Sequence, residues 1–235
     1  MTTQDSSTYW KLGRVELRAA GFDPDRAAQT SAVVTIASAY TNAHRCNNRV
    51  RAITDLLVEL AKDGEYLSRK YVRLKLRAVQ KRERSAATYL QRVKDCLRRV
   101  IDYAASKNVR LGLENRRGYE EIPTEREFPA LFDEMDSPQI GYWHDFGHAQ
   151  IKENLAFLDH AEWLRRIAQR TLGCHVQDCV WPAQDHQPPF AGDVDLERLV
   201  PLLPSNCLFV WEMSPRKTAD EIRRSMQIWK QHFGK

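Results

Sequence analysis

The alternation of short apolar segments with longer amphipathic segments is the feature that most constrains the fold of this chain. Apolar runs of strand length recur along the sequence, and stretches with an apolar residue every three to four positions separate them. The predicted strands are residues 32–37, 71–76, 109–113, 139–143, 172–176 and 207–211, with a weaker candidate at 14–17. The predicted helices are residues 50–62, 86–106, 158–170, 196–203 and 220–232. This alternation predicts a parallel sheet, either open and doubly wound or closed into a barrel.

Length and glycine content bear on that choice. The chain has 235 residues, which suits one domain spanning residues 1–235. A nucleotide-binding doubly wound sheet needs a glycine-rich loop after its first strand. Neither GxGxxG nor GxxxxGK[ST] occurs among the 10 glycines, so a nucleotide-binding fold is disfavoured.

Four of the predicted strands end in or beside a residue that can bind a metal ion. These residues are Glu114, Asp145, His175 and Glu212, spaced by 31, 30 and 37 positions. The first two spacings match one strand-plus-helix unit. A parallel barrel places the carboxyl ends of all its strands on one face, so the four side chains are predicted to share one pocket. Three carboxylates and an imidazole suit a divalent ion such as Mn, Mg, Co, Zn or Fe.

The two glutamates also suit proton transfer beside a carbonyl group. A metal ion would stabilise an enediolate while one carboxylate removes a proton and the other returns it. Glu114 and Glu212 are therefore the candidate catalytic residues.

Each of the four residues also has a purely structural interpretation. The glutamates could form salt bridges with Arg116 and Arg216, Asp145 could begin a helix as its N-cap, and His175 could be a buried core histidine. The regular spacing favours a common site, and five of the seven histidines fall between residues 144 and 186.

Four further residues are candidate substrate contacts. They are His148, His186, Asp185 and Arg116. His144 is expected to face away from the site, because successive side chains of a strand point to opposite faces. His160 is expected to lie on a helix surface.

At the segments LENR, DFGHA, HVQD, DHQPPFAGDVD and WEMSP the sequence resembles the xylose-isomerase-like barrel superfamily. This superfamily, which is also the AP endonuclease 2-type family, includes sugar phosphate isomerases and epimerases, ketose epimerases, inosose-processing enzymes and the endonuclease IV type of DNA repair enzyme. The resemblance covers about residues 85–235. It implies a (β/α)8 TIM barrel. In the single-metal sugar enzymes of this group, the positions that match the four strand-end residues hold the metal, and the two glutamates are the acid/base pair. The position that matches His148 contacts substrate in those enzymes and binds zinc in the nuclease.

The N-terminal third departs from the pattern of the repair enzymes. Those enzymes carry a histidine at the ends of the second and third strands, whereas strand 32–37 continues here into Ser38 and strand 71–76 into Arg77. The D-x-H motif is contracted to Asp185-His186. The barrel is therefore expected to be abbreviated or irregular on its N-terminal side, and a cluster of three zinc ions is disfavoured.

The resemblance implies a metal-dependent isomerase or epimerase that acts on a sugar, a sugar phosphate or an inosose. The implied cofactor is a divalent ion, with Mn, Mg, Co and Zn as candidates. The two alternatives are an endonuclease IV-like abasic-site nuclease and a degenerate, non-catalytic barrel. The expected partner is a small carbohydrate rather than a nucleic acid, and self-association into a homo-oligomer is left open.

The charge of the chain is unevenly distributed. Residues 1–110 hold 22 Lys and Arg against 11 Asp and Glu, and the remaining residues hold 14 against 20. We interpret the basic run at residues 69–84 as a solvated surface, with a phosphate or nucleic-acid site as the alternative. Arg73, Lys75 and Arg77 alternate along a predicted strand and are expected to face outward or to lie at an irregular edge.

The remaining composition points to a cytoplasmic protein. Apolar runs stay well below the roughly 18 residues of a membrane-spanning helix, and the N-terminus does not resemble a secretory signal. The five cysteines are scattered and form no CxxC pair, which fits a reducing compartment.

Overall fold

The computed structural model describes residues 33–36 and 45–234, with side chains from residue 49 onward. The strands are β1 (Val33–Ile36), β2 (Arg110–Glu114), β3 (Ile140–Asp145), β4 (Thr171–Val176), β5 (Asp178–Val180), β6 (Gln184–Gln187) and β7 (Leu208–Trp211). Five of them form a parallel sheet in the order β1-β2-β3-β4-β7. The other two, β5 and β6, form a separate antiparallel hairpin. Within the described residues, β1 and β7 are the edge strands of the sheet.

Helices connect the parallel strands. They are α1 (Arg45–Lys62), α2 (Arg69–Ser106), α3 (Phe128–Met135), α4 (Phe146–Asn154), α5 (His160–Ile167), α6 (Leu196–Leu199) and α7 (Ala219–Phe233). Two short 3-10 turns, Ala168–Arg170 and Val200–Leu202, extend α5 and α6. The α/β alternation predicted from the sequence is confirmed, and the predicted strands in the second half are found within two residues of their expected bounds. None of the described helices is long and apolar enough to cross a membrane.

The predicted strand at residues 71–76 is wrong, because this segment forms the first part of α2. Tyr71 and Ala78 are fully buried and Leu74 packs beside them, which is the three-to-four-residue spacing of a helix face. Leu76, which an alternating strand would bury together with Leu74, is 56% exposed. The segment therefore buries more apolar surface as a helix than it would as a strand.

The basic residues of this segment lie on the helix rather than on one side of a strand. Arg73 and Arg77 are exposed, as expected for charges without buried partners. Lys75 is half-buried, because its ammonium group donates to the carbonyl of Ala156 and lies 5.0 Å from the ring centroid of Phe157. The weaker strand candidate at 14–17 lies outside the described residues.

Two apolar clusters pack the helices against the sheet. One joins α2, α3 and α5 to β2 and β3, and Phe128 and Tyr142 are fully buried in it. The other joins α1, α4, α6 and α7 to β4, with Leu57, Val176 and Leu196 at most 1% exposed. Burial of each such side chain contributes about 1.5–3 kcal/mol. This packing fixes the strands whose ends carry the candidate site.

Candidate functional site

The four potential metal ligands lie together at the carboxyl-terminal edge of the sheet. Glu114 is the last residue of β2, Asp145 the last of β3, and His175 the last but one of β4, while Glu212 directly follows β7. The strands run parallel, so their carboxyl ends share one edge, and Asp145 is in register with His175. These four residues are called the strand-end cluster below.

The donor atoms of the strand-end cluster converge on one point. Each residue offers one ligand atom, and the four atoms lie within 4.8 Å of one another. His175 Nδ1 lies 2.9 Å from Glu114 Oε1, 2.9 Å from Glu212 Oε2 and 3.7 Å from Asp145 Oδ2. Glu114 and Asp145 are buried, whereas the side chain of Glu212 is 41% exposed. Solvent therefore reaches the cluster from the side of Glu212.

Three carboxylates share this small volume with one imidazole. Burial lowers the pKa of His175, but the carboxylates of Asp145, Glu114 and Glu212 raise it more strongly, to about 11. The imidazoles of His175 and His186 hold the pKa of Glu212 well below its usual range. Negative charges on three neighbouring carboxylates repel one another, and a cation between them offsets this repulsion.

The chemistry of this donor set fits a divalent metal ion. Three carboxylate oxygens and one imidazole nitrogen suit Mg²⁺, Mn²⁺, Co²⁺ or Zn²⁺. Glu114 Oε1 and Glu212 Oε2 each lie 2.9 Å from His175 Nδ1, so both carboxylates attract the proton on this nitrogen. A metal ion in place of that proton would be balanced by the same carboxylates. Arg116 Nη1 lies 4.0 Å from the other carboxylate oxygen of Glu114, Oε2.

Neighbouring polar groups fix the position of Asp145. Its side chain is the N-cap of α4, accepting from the backbone N–H of His148 at 2.7 Å, and it accepts from Gln177 Nε2 at 2.7 Å. Asn115 holds the backbone of Asp145 on both sides: Oδ1 accepts from its N–H at 2.6 Å, and Nδ2 donates to its carbonyl at 3.0 Å. Burial raises the pKa of Asp145, and the attraction of His148 and His175 more than offsets this, so the net change is downward.

The sequence patterns do not single out Asn115 and Gln177. Both are fully buried, and Gln177 also accepts a hydrogen bond from the backbone N–H of His186 through Oε1. Their positions could have identified them, because each amide lies one or two residues beyond a strand-end ligand, inside the LENR and HVQD segments. Amides at such positions can orient metal ligands without binding the metal themselves.

The ring of Trp143 forms the floor beneath the strand-end cluster. Its centroid lies 5.4 Å from that of His175, with the rings at 67°. The ring lies against Gly112 of β2 and Gly173 of β4, where an added Cβ would come within 3 Å of it. Glycine at both flanking positions therefore makes room for the indole between the strands.

Two of the predicted substrate contacts lie beside the strand-end cluster. His148 Nδ1 is 3.7 Å from both Glu114 Oε1 and Asp145 Oδ2, and 3.1 Å from the carbonyl oxygen of Asn115. A carbonyl only accepts, so this geometry assigns the proton to Nδ1, and Nε2 forms no hydrogen bond with another described residue. His186 Nε2 is 3.8 Å from Glu212 Oε1, and its ring centroid is 6.1 Å from that of His148.

The other two predicted contacts are engaged in ion pairs. Asp185 Oδ2 accepts from Arg117 Nε at 2.7 Å, and its Oδ1 lies 3.5 Å from His186 Nδ1. Arg116 Nη2 donates to Glu121 Oε1 at 3.1 Å. The ion pair of Asp185 with Arg117 therefore links the β5-β6 hairpin to the segment after β2, and the Asp185 carboxylate also lies beside the ring of His186.

His144 and His160 form a buried network on the other side of β3. His144 faces away from the cluster, as expected, but His160 is fully buried and not on a helix surface. Trp163 Nε1 donates to the Tyr142 oxygen at 2.9 Å, which lies 3.1 Å from His144 Nδ1, and the two Nε2 atoms of the histidines are 2.9 Å apart. Burial lowers the pKa of His160 to about 3, so its imidazole is neutral at physiological pH.

Comparison with known proteins identifies the family. The family model of the xylose isomerase-like TIM barrel matches residues 23–232, which is most of the chain. The predicted fold class is thereby confirmed. No curated protein is similar enough in sequence to count as a match.

Several solved structures resemble this one. A D-tagatose 3-epimerase-like protein aligns with a TM-score of 0.54 and 17% identity over 99% of this chain and 84% of its own. The 3-keto-D-glucoside 4-epimerase YcjR from E. coli aligns with a TM-score of 0.51 and 15% identity over 93% and 82%. At these identities the likeness shows a shared fold.

Proposed function

We propose that this chain, which belongs to the xylose isomerase-like TIM barrel family, is a sugar isomerase or epimerase that depends on a divalent metal ion. The observation that carries the proposal is the convergence of four donor atoms within 4.8 Å at the carboxyl ends of parallel strands. Active sites of barrel enzymes lie at this face. Two of the similar structures are described as an epimerase and an epimerase-like protein, which supports the same reaction class.

The strand-end cluster would hold the ion through Glu114, Asp145, His175 and Glu212. When bound, a divalent ion would supply positive charge to polarise the carbonyl of a sugar and to offset negative charge on its oxygen. Asn115 and Gln177 hold Asp145 in place by the hydrogen bonds described above.

Glu114 and Glu212 are the proposed acid and base. The nearest oxygen of each lies 2.9 Å from His175 Nδ1, so both carboxylates would border the ion and a substrate bound to it. One removes the proton from the carbon beside the carbonyl, and the other returns a proton. Glu212 is the more exposed of the two and is therefore placed to exchange its proton with water.

His148 and His186 are the proposed substrate-positioning residues. Each lies at the edge of the cluster, and His148, whose Nδ1 donates to Asn115, would contact a sugar hydroxyl through its Nε2. Arg117 and Asp185 hold His186 indirectly, through the hairpin.

Metal content and proton exchange test the proposal together. We expect about one divalent ion per chain by elemental analysis, and uptake of deuterium from heavy water into a ketose or inosose by NMR. About three zinc ions per chain would instead indicate an endonuclease IV-like nuclease. The absence of both a bound ion and deuterium exchange would indicate a non-catalytic barrel.

A single substitution tests the acid/base role. Glu114→Gln keeps the shape of the side chain but cannot accept the proton, and it binds metal more weakly. We expect exchange to fall at least about a hundredfold with the fold intact by circular dichroism. The control is Glu162→Gln, a surface change that removes a charge paired with Arg165 far from the cluster. Full exchange in Glu114→Gln would refute the mechanism.

A further inference from the structure

A cavity of about 230 Å³ adjoins the strand-end cluster. Residues of α1, of α4 and of the segment after β2 enclose it. His148 and Arg116 border both the cavity and the cluster, so a molecule bound at the cluster can extend into it. The volume is below the roughly 300–1,000 Å³ of pockets for drug-sized ligands. The cavity therefore suits the remaining carbons of a small sugar.

Most of the cations that line this cavity are already paired. The ion pairs are Arg116 with Glu121, Arg117 with Asp185, and Lys152 with Glu125. Lys152 also donates to the carbonyl oxygen of Arg116 at 2.6 Å. The other lining cation in the described part of the chain is Arg51, which is exposed. A phosphate group in the cavity would thus compete with existing carboxylate partners for its cationic contacts.

Glu120 brings a carboxyl group to the wall of the cavity. It is 6% exposed, and its Oε2 accepts a hydrogen bond from the Thr54 hydroxyl at 3.2 Å. Asp55 lines the same cavity, and neither acid forms an ion pair with another described residue. Burial raises the pKa of Glu120, as does the nearby charge of Glu121, while the hydrogen bond from Thr54 and the positive charge of Arg51 partly offset this rise. Apart from Arg51, the described wall therefore offers carboxylate acceptors and cations that are already paired.

We infer that the substrate is an uncharged sugar or polyol, and that Glu120 selects it against its phosphorylated counterpart. The inference rests on the proposed function. A carboxylate accepts hydrogen bonds from sugar hydroxyls, whereas a phosphate is bound through cationic donors and is repelled by a carboxylate. Tyr119 and Phe157, whose rings stack on each other with centroids 4.1 Å apart, line the same cavity and add apolar surface to its wall.

Matched substrate pairs test this inference. Deuterium uptake is measured for D-fructose, D-tagatose and D-psicose and for the 6-phosphate of each, and binding of the same six compounds is followed by the shift in melting temperature. We expect kcat/KM for the free ketose to exceed that for its phosphate by at least about tenfold. Glu120→Gln removes the negative charge of this side chain. The ratio of kcat/KM for the free ketose to kcat/KM for its phosphate should therefore fall at least about threefold, mainly through a change in KM.

The matched control is Glu65→Gln, which removes an equal charge from an exposed position just after α1 and outside the cavity. It should leave the preference unchanged. Equal or better turnover of the phosphates by the unmodified protein would overturn the inference while the proposed function stands. An equal fall of this kcat/KM ratio in Glu65→Gln would overturn the role of Glu120 in selecting the substrate. If no compound exchanges deuterium or binds, the proposed function fails and this inference fails with it.

Discussion

The amide of Asn115 joins the ends of β2 and β3 beneath the proposed metal site. It binds both the N–H and the carbonyl of Asp145, at 2.6 and 3.0 Å, and both residues are fully buried. Asn115→Ala therefore leaves the backbone N–H of Asp145 without a partner and out of reach of bulk water. The change also removes one hydrogen bond from the Asp145 carbonyl, which, as the N-cap of α4, still accepts the first hydrogen bond of that helix. It also removes the group that fixes Asp145 relative to Glu114.

The size of the effect follows from these two contacts. A buried donor left without a partner costs about 1–3 kcal/mol and the loss of one further hydrogen bond about 0.5–1.5 kcal/mol, so the two together lower the free energy of unfolding by about 2–4 kcal/mol. For a domain of this length that corresponds to a fall in melting temperature of about 5–15 °C. Loss of a group that orients a metal ligand typically weakens metal binding by about 10–100-fold, and we expect the same here.

Thermal unfolding followed by circular dichroism gives the first quantity, and isothermal titration with Mn²⁺ gives the second. The control is Asn206→Ala, which removes the same amide from an exposed position before β7. A melting temperature within about 2 °C of the unmodified protein, together with unchanged Mn²⁺ affinity, would refute the idea that this amide holds the cluster together.

Three further predictions concern the surroundings of the cluster. His148→Asn should change KM or kcat by about tenfold while one ion per chain remains bound, and loss of the ion would show that His148 is a ligand. Gly173→Ala should lower the free energy of unfolding in urea by about 1–3 kcal/mol, because the added methyl meets the ring of Trp143; an unchanged stability would contradict this packing. The pKa of His160, lowered by burial to about 3, means that the unfolded chain takes up a proton below pH 6.5 that the folded chain does not. Between pH 7 and pH 5 the protein should therefore lose about 2 kcal/mol more stability in urea titrations than His160→Gln, and equal losses would contradict this.

The placement of the strand-end cluster could be predicted because it depends on local features. Each ligand lies at the end of a strongly apolar segment, and the parallel arrangement of such segments brings their carboxyl ends to one edge. The strand periodicity also gives the orientation of His144 correctly, since it is adjacent to Asp145 and must face the opposite side. No knowledge of the helix packing is needed for these predictions.

The wrong predictions concern positions where the sequence fits two patterns at once. In residues 71–76, the apolar side chains of Val72, Leu74 and Leu76 fit an alternating strand. Tyr71 and Leu74 fit the spacing of a helix face. The helix is favoured by a contact distant in sequence, the hydrogen bond from the Tyr71 hydroxyl to the Leu155 carbonyl at 3.1 Å. A sequence pattern does not contain such contacts, and the burial of His160 against a histidine 16 positions away is missed for the same reason.

The segment after β2 couples the proposed chemistry to the proposed selectivity. His148 and Lys152 are four residues apart on α4 and so lie on the same face of that helix. They bind consecutive carbonyl groups, of Asn115 at 3.1 Å and of Arg116 at 2.6 Å. These contacts fix the start of the segment that carries Glu120 against the same helix that Asp145 caps. Because Glu120 reaches the cavity through this anchored backbone, changes further along residues 117–121 should alter substrate preference while the metal ligands keep their positions.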